Sequence, residues 1–383
     1  MTTTRTVLLA PDKFKGTLTA AQVVAALTAG IVRTAPQLDL LSCPIADGGD
    51  GTVDAALAAG YAEHLAEVAG PTGEPWPARW AQQGEVAVLE LAETVGLQAL
   101  PGGTLAARTA STRGLGELIR AAIGAGARSI LVGLGGSSST DAGAGLLQGL
   151  GARLLDTAGD EIGPGLDGLA TLASTDLAPA LAAMEGVELV AANDVTNPLL
   201  GPDGAAAVYG PQKGLTPQEI GPADEIVAAA AALLDPDEVH RELPGAGAAG
   251  GTGFALSLLG ATQRSGADAV FALIGLPQLL ARADAVVTGE GKLDAQTLQG
   301  KGPAEVARLA REKGLPVAAV AGAVTLERDA LEAAGIGRAW DLITRAGSFE
   351  VAVADGERLL TEIGEELGTW LVTAGEQTAP TTA

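Results

Sequence analysis

The sequence predicts an α/β protein: a parallel sheet flanked by helices, with a second α/β domain inserted into it. At both ends of the chain, short apolar runs alternate with segments of helical length. The loops that follow these runs are rich in glycine, aspartate and lysine. With 383 residues the chain is also long for a single hydrophobic core. Alternation of strand and helix is typical of a parallel sheet, because each crossover needs a helix.

The first elements follow from the N-terminal residues. Residues 6–10 form a short apolar strand that Pro11 ends. Thr19 and Gln22 have the spacing of a capping box, which predicts a helix from there to about Val32. Residues 38–43 are the second strand, and the loop 47–52 (DGGDGT) leads into a helix from about Thr52 to Gly60.

The same alternation returns near the C-terminus. The predicted order is strand 285–288, loop 289–302, a helix from 303, strand 317–321, helix 326–334, strand 340–344 and a last helix 349–371. Together with the first two strands this makes five βα units, which predicts a flavodoxin-like sheet with strand order 2-1-3-4-5. Ligands of such sheets bind at the carboxyl ends of strands 1 and 3, where the loops 12–16 and 289–294 lie.

The middle of the chain predicts the inserted domain. Strand candidates 86–91, 129–134 and 187–192 alternate there with helices and long loops rich in glycine and proline. We therefore predict one domain from residues 1–66 and 283–383 and another from 67–282, with the active site in the cleft between them. Residues 245–250 match the GxGxxG pattern, but no strand precedes them, so they fail as a dinucleotide fingerprint.

Composition excludes several classes of partner. The net charge of −23, with no basic block, argues against binding to nucleic acid or an anionic membrane. No apolar run approaches the ~18–20 residues of a membrane span, and Cys43 is the single cysteine, so we expect a cytoplasmic protein. The sequence leaves open whether it is a monomer or a homodimer. An anionic substrate would need local cations, and those in glycine-rich loops are Lys13, Lys15, Lys213, Lys292 and Lys301.

Two glycine-rich loops predict phosphoryl transfer. In the loop 47–52, glycines let backbone amides turn toward a phosphate, and the two aspartates are suited to hold Mg²⁺ or accept a proton from an attacking hydroxyl. The segment 133–141 (GLGGSSSTD) follows a strand and opens a helix, which offers amides and hydroxyls to an anion. Asp194 follows a third strand.

These motifs resemble those of the glycerate kinases of the bacterial two-domain type. The resemblance runs in order through the segments 12–18, 44–52, 135–145, 194–200, 210–214, 245–253 and 289–301. It implies ATP-dependent phosphorylation of D-glycerate, a small-molecule substrate, usually at the 2-hydroxyl to give 2-phosphoglycerate. Lys13 and Asp50 depart from the serine and glutamate that are more frequent in the family, and Lys13 leaves the exact acid open.

Glycerate carries a carboxylate and two hydroxyls, so its site needs a cationic clamp, a base and cations on the transferred phosphoryl group. The candidate catalytic residues are Lys15, Asp47, Asp50, Asp194, Glu290, Lys292 and Asp294. The candidate nucleotide-binding residues are Gly48, Gly49, Gly51, Thr52, Gly135, Gly136, Ser137, Ser138 and Lys213. The candidate Mg²⁺ ligands are Asp47, Asp50, Asp194 and Glu290, and the sequence does not divide base from ligand among them.

Other functions explain single motifs. A GGDGT loop also occurs in diacylglycerol and NAD kinases, and GLGGSS is similar to a motif of the GHMP kinases. The first alternative is a glycerate 3-kinase or a kinase of another small hydroxy acid. A binding protein without turnover would be expected to lose several loop carboxylates, and this chain keeps them.

Overall fold

The computed structural model describes residues 5–299 and 302–378, so Lys301 lies outside the described residues. The strands are β1 (Thr6–Pro11), β2 (Asp39–Ser42), β3 (Ala62–Ala69), β4 (Pro75–Gln83), β5 (Val86–Glu90), β6 (Ser129–Gly133), β7 (Arg153–Leu155), β8 (Ser174–Asp176), β9 (Glu188–Ala192), β10 (Thr262–Arg264), β11 (Ala285–Leu293), β12 (Val317–Val324) and β13 (Arg338–Asp341).

The α-helices, in chain order, are α1 (Ala20–Thr34), α2 (Thr52–Ala58), α3 (Ala92–Val95), α4 (Arg113–Gly124), α5 (Ala144–Gly149), α6 (Gly165–Leu169), α7 (Ala178–Ala183), α8 (Ala205–Lys213), α9 (Pro217–Leu234), α10 (Ala248–Leu258), α11 (Gly266–Leu273), α12 (Leu276–Leu280), α13 (Gly302–Glu312), α14 (Arg328–Ala333), α15 (Leu342–Ala346), α16 (Phe349–Ala354) and α17 (Gly356–Thr378). Within the described ranges, none of these helices is long and apolar enough to cross a membrane.

The chain divides into two compact units. Unit 1 consists of Met1–Ala46 and Val270–Ala383, and unit 2 of Asp47–Ala269. The boundaries predicted from the sequence, at residues 66 and 282, lie further along the chain, and as domain limits they stay predictions.

Unit 1 contains a five-stranded parallel sheet of order β13-β12-β11-β1-β2. Numbered within the unit, this is the predicted flavodoxin-like order 2-1-3-4-5, which is confirmed. The predicted capping box at Thr19 and Gln22 begins α1. Helices α1 and α17 pack so closely that a Cβ at Gly30 would lie 2.0 Å from the Thr361 carbonyl oxygen. Glycine at this point brings the two helix backbones together over the sheet.

Three predicted elements of unit 1 are corrected by the structure. Strand β11 continues to Leu293, paired there with Val324 of β12, so residues 289–293 are strand where the sequence predicted loop. Strand β13 ends at Asp341, and α15 occupies the rest of the segment predicted as strand. The last predicted helix is two helices, α16 and α17, that meet at Asp355.

Unit 2 contains a six-stranded mixed sheet of order β10-β9-β6-β5-β4-β3. The three predicted strands of the insert are its centre, β5, β6 and β9, which pair in parallel. The sequence did not predict the antiparallel β3–β4 hairpin or β10. Strand β3 gave little signal because most of its side chains are at least partly exposed and only Val68 is buried.

Candidate active site

The central strands of unit 2 deliver their last residues to one edge of the sheet. In register, Glu90 of β5 pairs with Gly133 of β6, and Gly133 pairs with Ala192 of β9. The loops that follow these strands therefore start side by side, and carboxyl-terminal edges of this kind are where open α/β sheets bind ligands.

The loop 47–52 has the conformation that its glycines permit. Gly48 and Gly51 have φ values of +83° and +100°, a region that residues with a Cβ rarely adopt. The Gly49 amide donates to Asp47 Oδ1 (3.2 Å), and the Thr52 hydroxyl donates to the Gly49 carbonyl oxygen (2.7 Å). The turn is thus fixed by its own polar groups and leads directly into α2.

Glu90 fixes this loop through hydrogen bonds, and the sequence analysis did not identify it. Its buried carboxylate accepts hydrogen bonds from the Gly51 amide, at 3.0 Å to each oxygen, and from the Val53 amide, at 3.2 Å. A carboxylate at the start of a helix satisfies amides that have no partner within the helix. The available signal was an acidic residue at the end of an otherwise apolar strand.

Glycines bring three loops into backbone contact. A Cβ at Gly135 would lie 2.5 Å from Gly49 Cα and 2.9 Å from the Asp50 nitrogen. A Cβ at Gly266, the first residue of α11, would lie 2.0 Å from the Asp47 carbonyl oxygen. No side chain fits at either position, so the loops after β6 and β10 pack directly against the loop 47–52.

Asp194 lies beside this contact. Its Oδ1 accepts from the Ser265 hydroxyl (2.9 Å) and from the Gly266 amide (2.8 Å). Partial loss of solvent raises the pKa of the Asp194 carboxyl, against these two hydrogen bonds, which lower it. The negative charges of Asp47 and Asp268 raise that pKa further. Asp47 and Asp194 are therefore close enough to repel each other.

In the segment 133–141 an exposed glycine, Gly136, is followed by a buried stretch. Gly136 is exposed, with φ of +73°, whereas all five residues from Ser137 to Asp141 are buried. The Ser138 hydroxyl donates to the Val95 carbonyl oxygen (2.8 Å), and the Ser137 hydroxyl donates to that of Ala249 (3.3 Å). The backbone at Gly135 and Gly136 is the part of this segment that a ligand can reach.

Asp141 anchors the buried stretch and was not singled out from the sequence. Its carboxylate accepts from the amide and the hydroxyl of Thr112, both at 2.8 Å, and from the amides of Gly143 (3.1 Å) and Gly145 (3.3 Å). Burial raises the pKa of this carboxyl, and the four hydrogen bonds oppose that shift.

Lys213 ends α8 and is 1% exposed. Its Nζ donates to the Ser139 carbonyl oxygen (2.5 Å) and to the Ser137 hydroxyl (3.4 Å). Burial lowers the pKa of the Lys213 ammonium to about 7, and the charge of Asp141 opposes this shift. Direct contact between Lys213 and a nucleotide stays a prediction.

The predicted site residues of unit 1 lie around the end of β11. Glu290 Oε1 accepts from the Thr297 hydroxyl (2.5 Å), and Lys292 pairs with Asp294 at 3.1 Å. The hydrogen bond from Lys292 is the largest influence on the pKa of the Asp294 carboxyl, which is lowered. Lys15 is exposed, and its backbone nitrogen is 3.3 Å from the position a Cβ would take at Gly291.

The structure thus gathers one set of predicted residues within unit 2. Backbone contacts and electrostatics connect Asp47, Gly48, Gly49, Asp50, Gly135 and Asp194. Lys15 lies near Gly291, and Lys292 with Asp294, within unit 1. That residues of the two units serve one site stays a prediction.

Over most of its length the chain is similar to known proteins. A sequence model of the glycerate kinase family matches residues 7–372. The glycerate kinase of Bacillus subtilis (strain 168) is 38% identical over 371 residues, which cover 94% of this chain and 97% of the relative. The glycerate 2-kinase of Escherichia coli (strain K12) is 37% identical over 353 residues, which cover 90% and 92%. A crystal structure from Salmonella typhimurium LT2, provisionally described as glycerate kinase 2, superposes with a TM-score of 0.83 at 37% identity, covering 97% of this chain and 99% of the other.

Proposed function

The chain belongs to the glycerate kinase family and is therefore a kinase, and we propose that it uses ATP to phosphorylate D-glycerate at the 2-hydroxyl. Among its relatives, the Escherichia coli protein is named a glycerate 2-kinase, which supports the choice of hydroxyl. The product of the proposed reaction is 2-phosphoglycerate.

One observation carries the proposal: two carboxylates, Asp47 and Asp194, are held close together beside a glycine-rich loop. Their mutual repulsion contributes to the raised pKa of Asp194. Phosphoryl transfer needs cationic charge on the phosphates and a group that orients or deprotonates the attacking hydroxyl. In such a pair, one carboxylate can hold a cation for the phosphates and the other can orient or deprotonate the hydroxyl.

The donor set of unit 2 fits Mg²⁺ bound jointly with a nucleotide. Among the described residues, no group of three or more His, Cys, Asp or Glu side chains is arranged to hold a metal by itself. Mg²⁺ commonly binds through one or two carboxylates together with substrate phosphates and water. We assign Asp47 and Asp50 as the carboxylates that would hold it. When bound, the ion would neutralise charge on the phosphates.

Asp194 is the best placed proton acceptor of the unit 2 carboxylates. A general base works best when its pKa lies nearer the working pH, and the pKa of Asp194 is raised. The hydrogen bonds from Ser265 and Gly266 fix one of its oxygens, Oδ1. In the proposal, Oδ2 accepts the proton of the 2-hydroxyl.

The exposed backbone of the two glycine-rich loops binds the phosphates of ATP in this proposal. The accessible candidates are Gly49, Gly51, Gly135 and Gly136, whereas the other candidates, Gly48, Thr52, Ser137 and Ser138, are buried and would shape the two loops. Backbone amides in such turns are well suited to phosphate oxygens. The unit 1 candidates, Lys15, Glu290, Lys292 and Asp294, keep their predicted roles as predictions that single substitutions can test.

The test is steady-state ADP formation by the purified protein with D-glycerate, NAD or diacylglycerol as the acceptor. We expect stimulation by D-glycerate in the presence of Mg²⁺ and none by the other two acceptors. ADP formation that stays at the background ATPase rate with D-glycerate would refute the proposal, and stimulation by NAD or the lipid would assign another kinase class.

A further inference from the structure

Lys213 is a buried lysine whose side-chain nitrogen makes hydrogen bonds within unit 2. Its Nζ donates to the Ser139 carbonyl oxygen at 2.5 Å and to the Ser137 hydroxyl at 3.4 Å. Lysine is almost never fully buried unless it is paired, and Lys213 is 1% exposed. Keeping an ammonium group in such a place costs stability, which calls for a function.

A strained turn closes over the same lysine. Ala249 and Gly250 have φ values of +52° and +72°, and a Cβ at Gly250 would lie 2.1 Å from the Ser139 carbonyl oxygen and 2.9 Å from Lys213 Nζ. Opposite them Ala142, with φ of +53°, donates its amide to the Gly250 carbonyl oxygen at 3.0 Å. Residues with a Cβ keep this conformation only where their surroundings enforce it, and such positions cluster at functional sites.

The segment that Lys213 holds continues directly into the candidate site. Two residues before Ser137, Gly135 touches Gly49 and the Asp50 nitrogen through the close approach described above. On the far side of Ser139, Asp141 is fixed by four hydrogen bonds. The Lys213 contact therefore lies between an anchored end and the end that meets the loop 47–52.

We propose that Lys213 is a positioning residue. Through the Ser139 carbonyl oxygen it fixes the segment 135–141, and so it fixes Gly135, which packs on the loop 47–52. It does this from behind the loop, without touching substrate. The inference rests on the proposed function, because the loop it positions is the one assigned to the phosphates of ATP.

The charged groups around Lys213 support this position. Among the described residues, the charge of Asp141 acts on Lys213 and raises its pKa. The turn at Ala249–Gly251 has no ionisable side chain. With a pKa of about 7, Lys213 still has N–H groups to donate in both of its protonation states. The hydrogen bond to the Ser139 carbonyl oxygen can therefore form across the neutral pH range.

The test compares the wild type with Lys213→Met, which keeps the length of the side chain but removes its donors. Lys313→Met, at an exposed lysine of unit 1, is the matched control. Misplacement of a reacting group by about 1 Å costs on the order of 10²-fold in rate. We expect kcat to fall about 10- to 100-fold in Lys213→Met, with the KM for ATP and for D-glycerate within about threefold of wild type, and no change in the control.

Two further variants separate positioning from direct contact. Gly250→Ala disturbs the same contact with Lys213 intact, so it should lower kcat in the same way, and the double variant should cost little more than the larger single one. Lys213→Arg keeps a cation but places a larger side chain at a position that is 1% exposed, so it should not restore kcat. An increase of KM for ATP above about tenfold in Lys213→Met, with recovery in Lys213→Arg, would make Lys213 a direct ligand and overturn the inference.

Hydrogen exchange supplies a readout that does not depend on the reaction. Amides of residues 137–143 should exchange faster in Lys213→Met than in the wild type, while those of α1 should not change. Wild-type kinetics in Lys213→Met, or unchanged exchange in that segment, would overturn the inference. A wild-type protein that does not phosphorylate D-glycerate would instead refute the proposed function, and the exchange rates would still decide whether Lys213 holds the loop.

Discussion

At the scale of single residues, Asp194 carries a charge that its surroundings make costly. Partial loss of solvent and the neighbouring Asp47 raise its pKa, although two hydrogen bonds stabilise its ionised form. A carboxyl whose pKa is raised on folding binds more protons in the folded state, so it lowers stability as the pH rises through the interval between the two pKa values. We therefore expect Asp194 to serve activity rather than stability.

Asp194→Asn is therefore predicted to separate activity from stability. The amide keeps the Oδ1 acceptor for Ser265 and Gly266 and removes the repulsion with Asp47, so the Tm at pH 7.5 should be no lower than that of the wild type. Loss of a general base typically costs about 10²- to 10⁴-fold, and we expect kcat to fall by that amount. Asp237→Asn, at an exposed aspartate, is the control for both measurements. Near wild-type kcat in Asp194→Asn would remove Asp194 from the mechanism.

Lys213 predicts the opposite dependence of stability on pH. Its pKa is about 7 in the folded protein and 10.5 as an ordinary lysine, so between these values the unfolded chain holds a proton that the folded chain lacks. The free energy of unfolding should therefore rise with pH in that interval, by up to about 1.4 kcal/mol per pH unit. Urea denaturation at pH 7, 8 and 9 should show this slope as the difference between wild type and Lys213→Met. Parallel pH profiles would mean that the lysine is not buried as described.

At the scale of elements, the candidate site depends on loops that touch through their backbones. Gly135 is the point at which the loop after β6 meets the loop 47–52, and its missing Cβ permits the contact. The sequence identified both loops as glycine-rich phosphate-binding candidates, but it contained no sign that they pack on each other.

Gly135→Ala should push these two loops apart. The new methyl group would lie 2.5 Å from Gly49 Cα, a backbone atom that cannot turn aside. We expect kcat/KM to fall by about 10²-fold, since the turn proposed to bind the phosphates is displaced, together with a lower Tm. Gly124→Ala, at an exposed glycine that ends α4, is the matched control: no atom lies within 4 Å of the position its methyl group would take, so it should be neutral or slightly stabilising. Wild-type kinetics in Gly135→Ala would show that loop contact is not needed.

Strand boundaries near the candidate residues were the weakest part of the sequence-based prediction. Residues 289–293 contain two glycines and two charged residues, which read as loop, yet β12 pairs with them up to Leu293. Pairing with β1 stops at Gly289, so among the described residues this extension has a strand neighbour on one side only and needs no apolar alternation. The capping box of α1, a purely local pattern, was predicted correctly.

At the scale of the whole molecule, unit 2 has the features of an inserted domain. Its own apolar core includes Leu89, Val132 and Phe254. Its ends meet, because Gly266 lies against the Asp47 carbonyl oxygen. Adjacent ends are typical of segments that can be inserted into, or removed from, another domain.

A fragment of residues 47–269 is predicted to fold by itself. We expect a cooperative urea transition by circular dichroism and well dispersed amide signals in the NMR spectrum. A fragment with the boundaries predicted from the sequence, 67–282, lacks α2 and more than half of β3 and should unfold at lower urea. Greater stability of that second fragment would favour the sequence-based boundaries.

The sequence determined the order of the unit 1 sheet and the central strands of unit 2, because buried strands and crossover helices leave clear local patterns. It also supplied Asp47, Gly135 and Asp194 as candidates. It could not supply Glu90, whose partner Gly51 is 39 positions away, or the link from Asp141 to Thr112, which is 29 positions away. The hydrogen bond from Lys213 to Ser139 joins residues 74 positions apart, so the sequence did not reveal it either.

The ³¹P NMR spectrum of the product that the wild-type protein forms from D-glycerate, ATP and Mg²⁺ decides most directly whether this kinase phosphorylates the 2-hydroxyl of glycerate. We expect a single new phosphomonoester with the coupling pattern of 2-phosphoglycerate, in an amount equal to the ADP formed. The signal of 3-phosphoglycerate, or ADP formed without any phosphorylated glycerate, would contradict the proposed reaction.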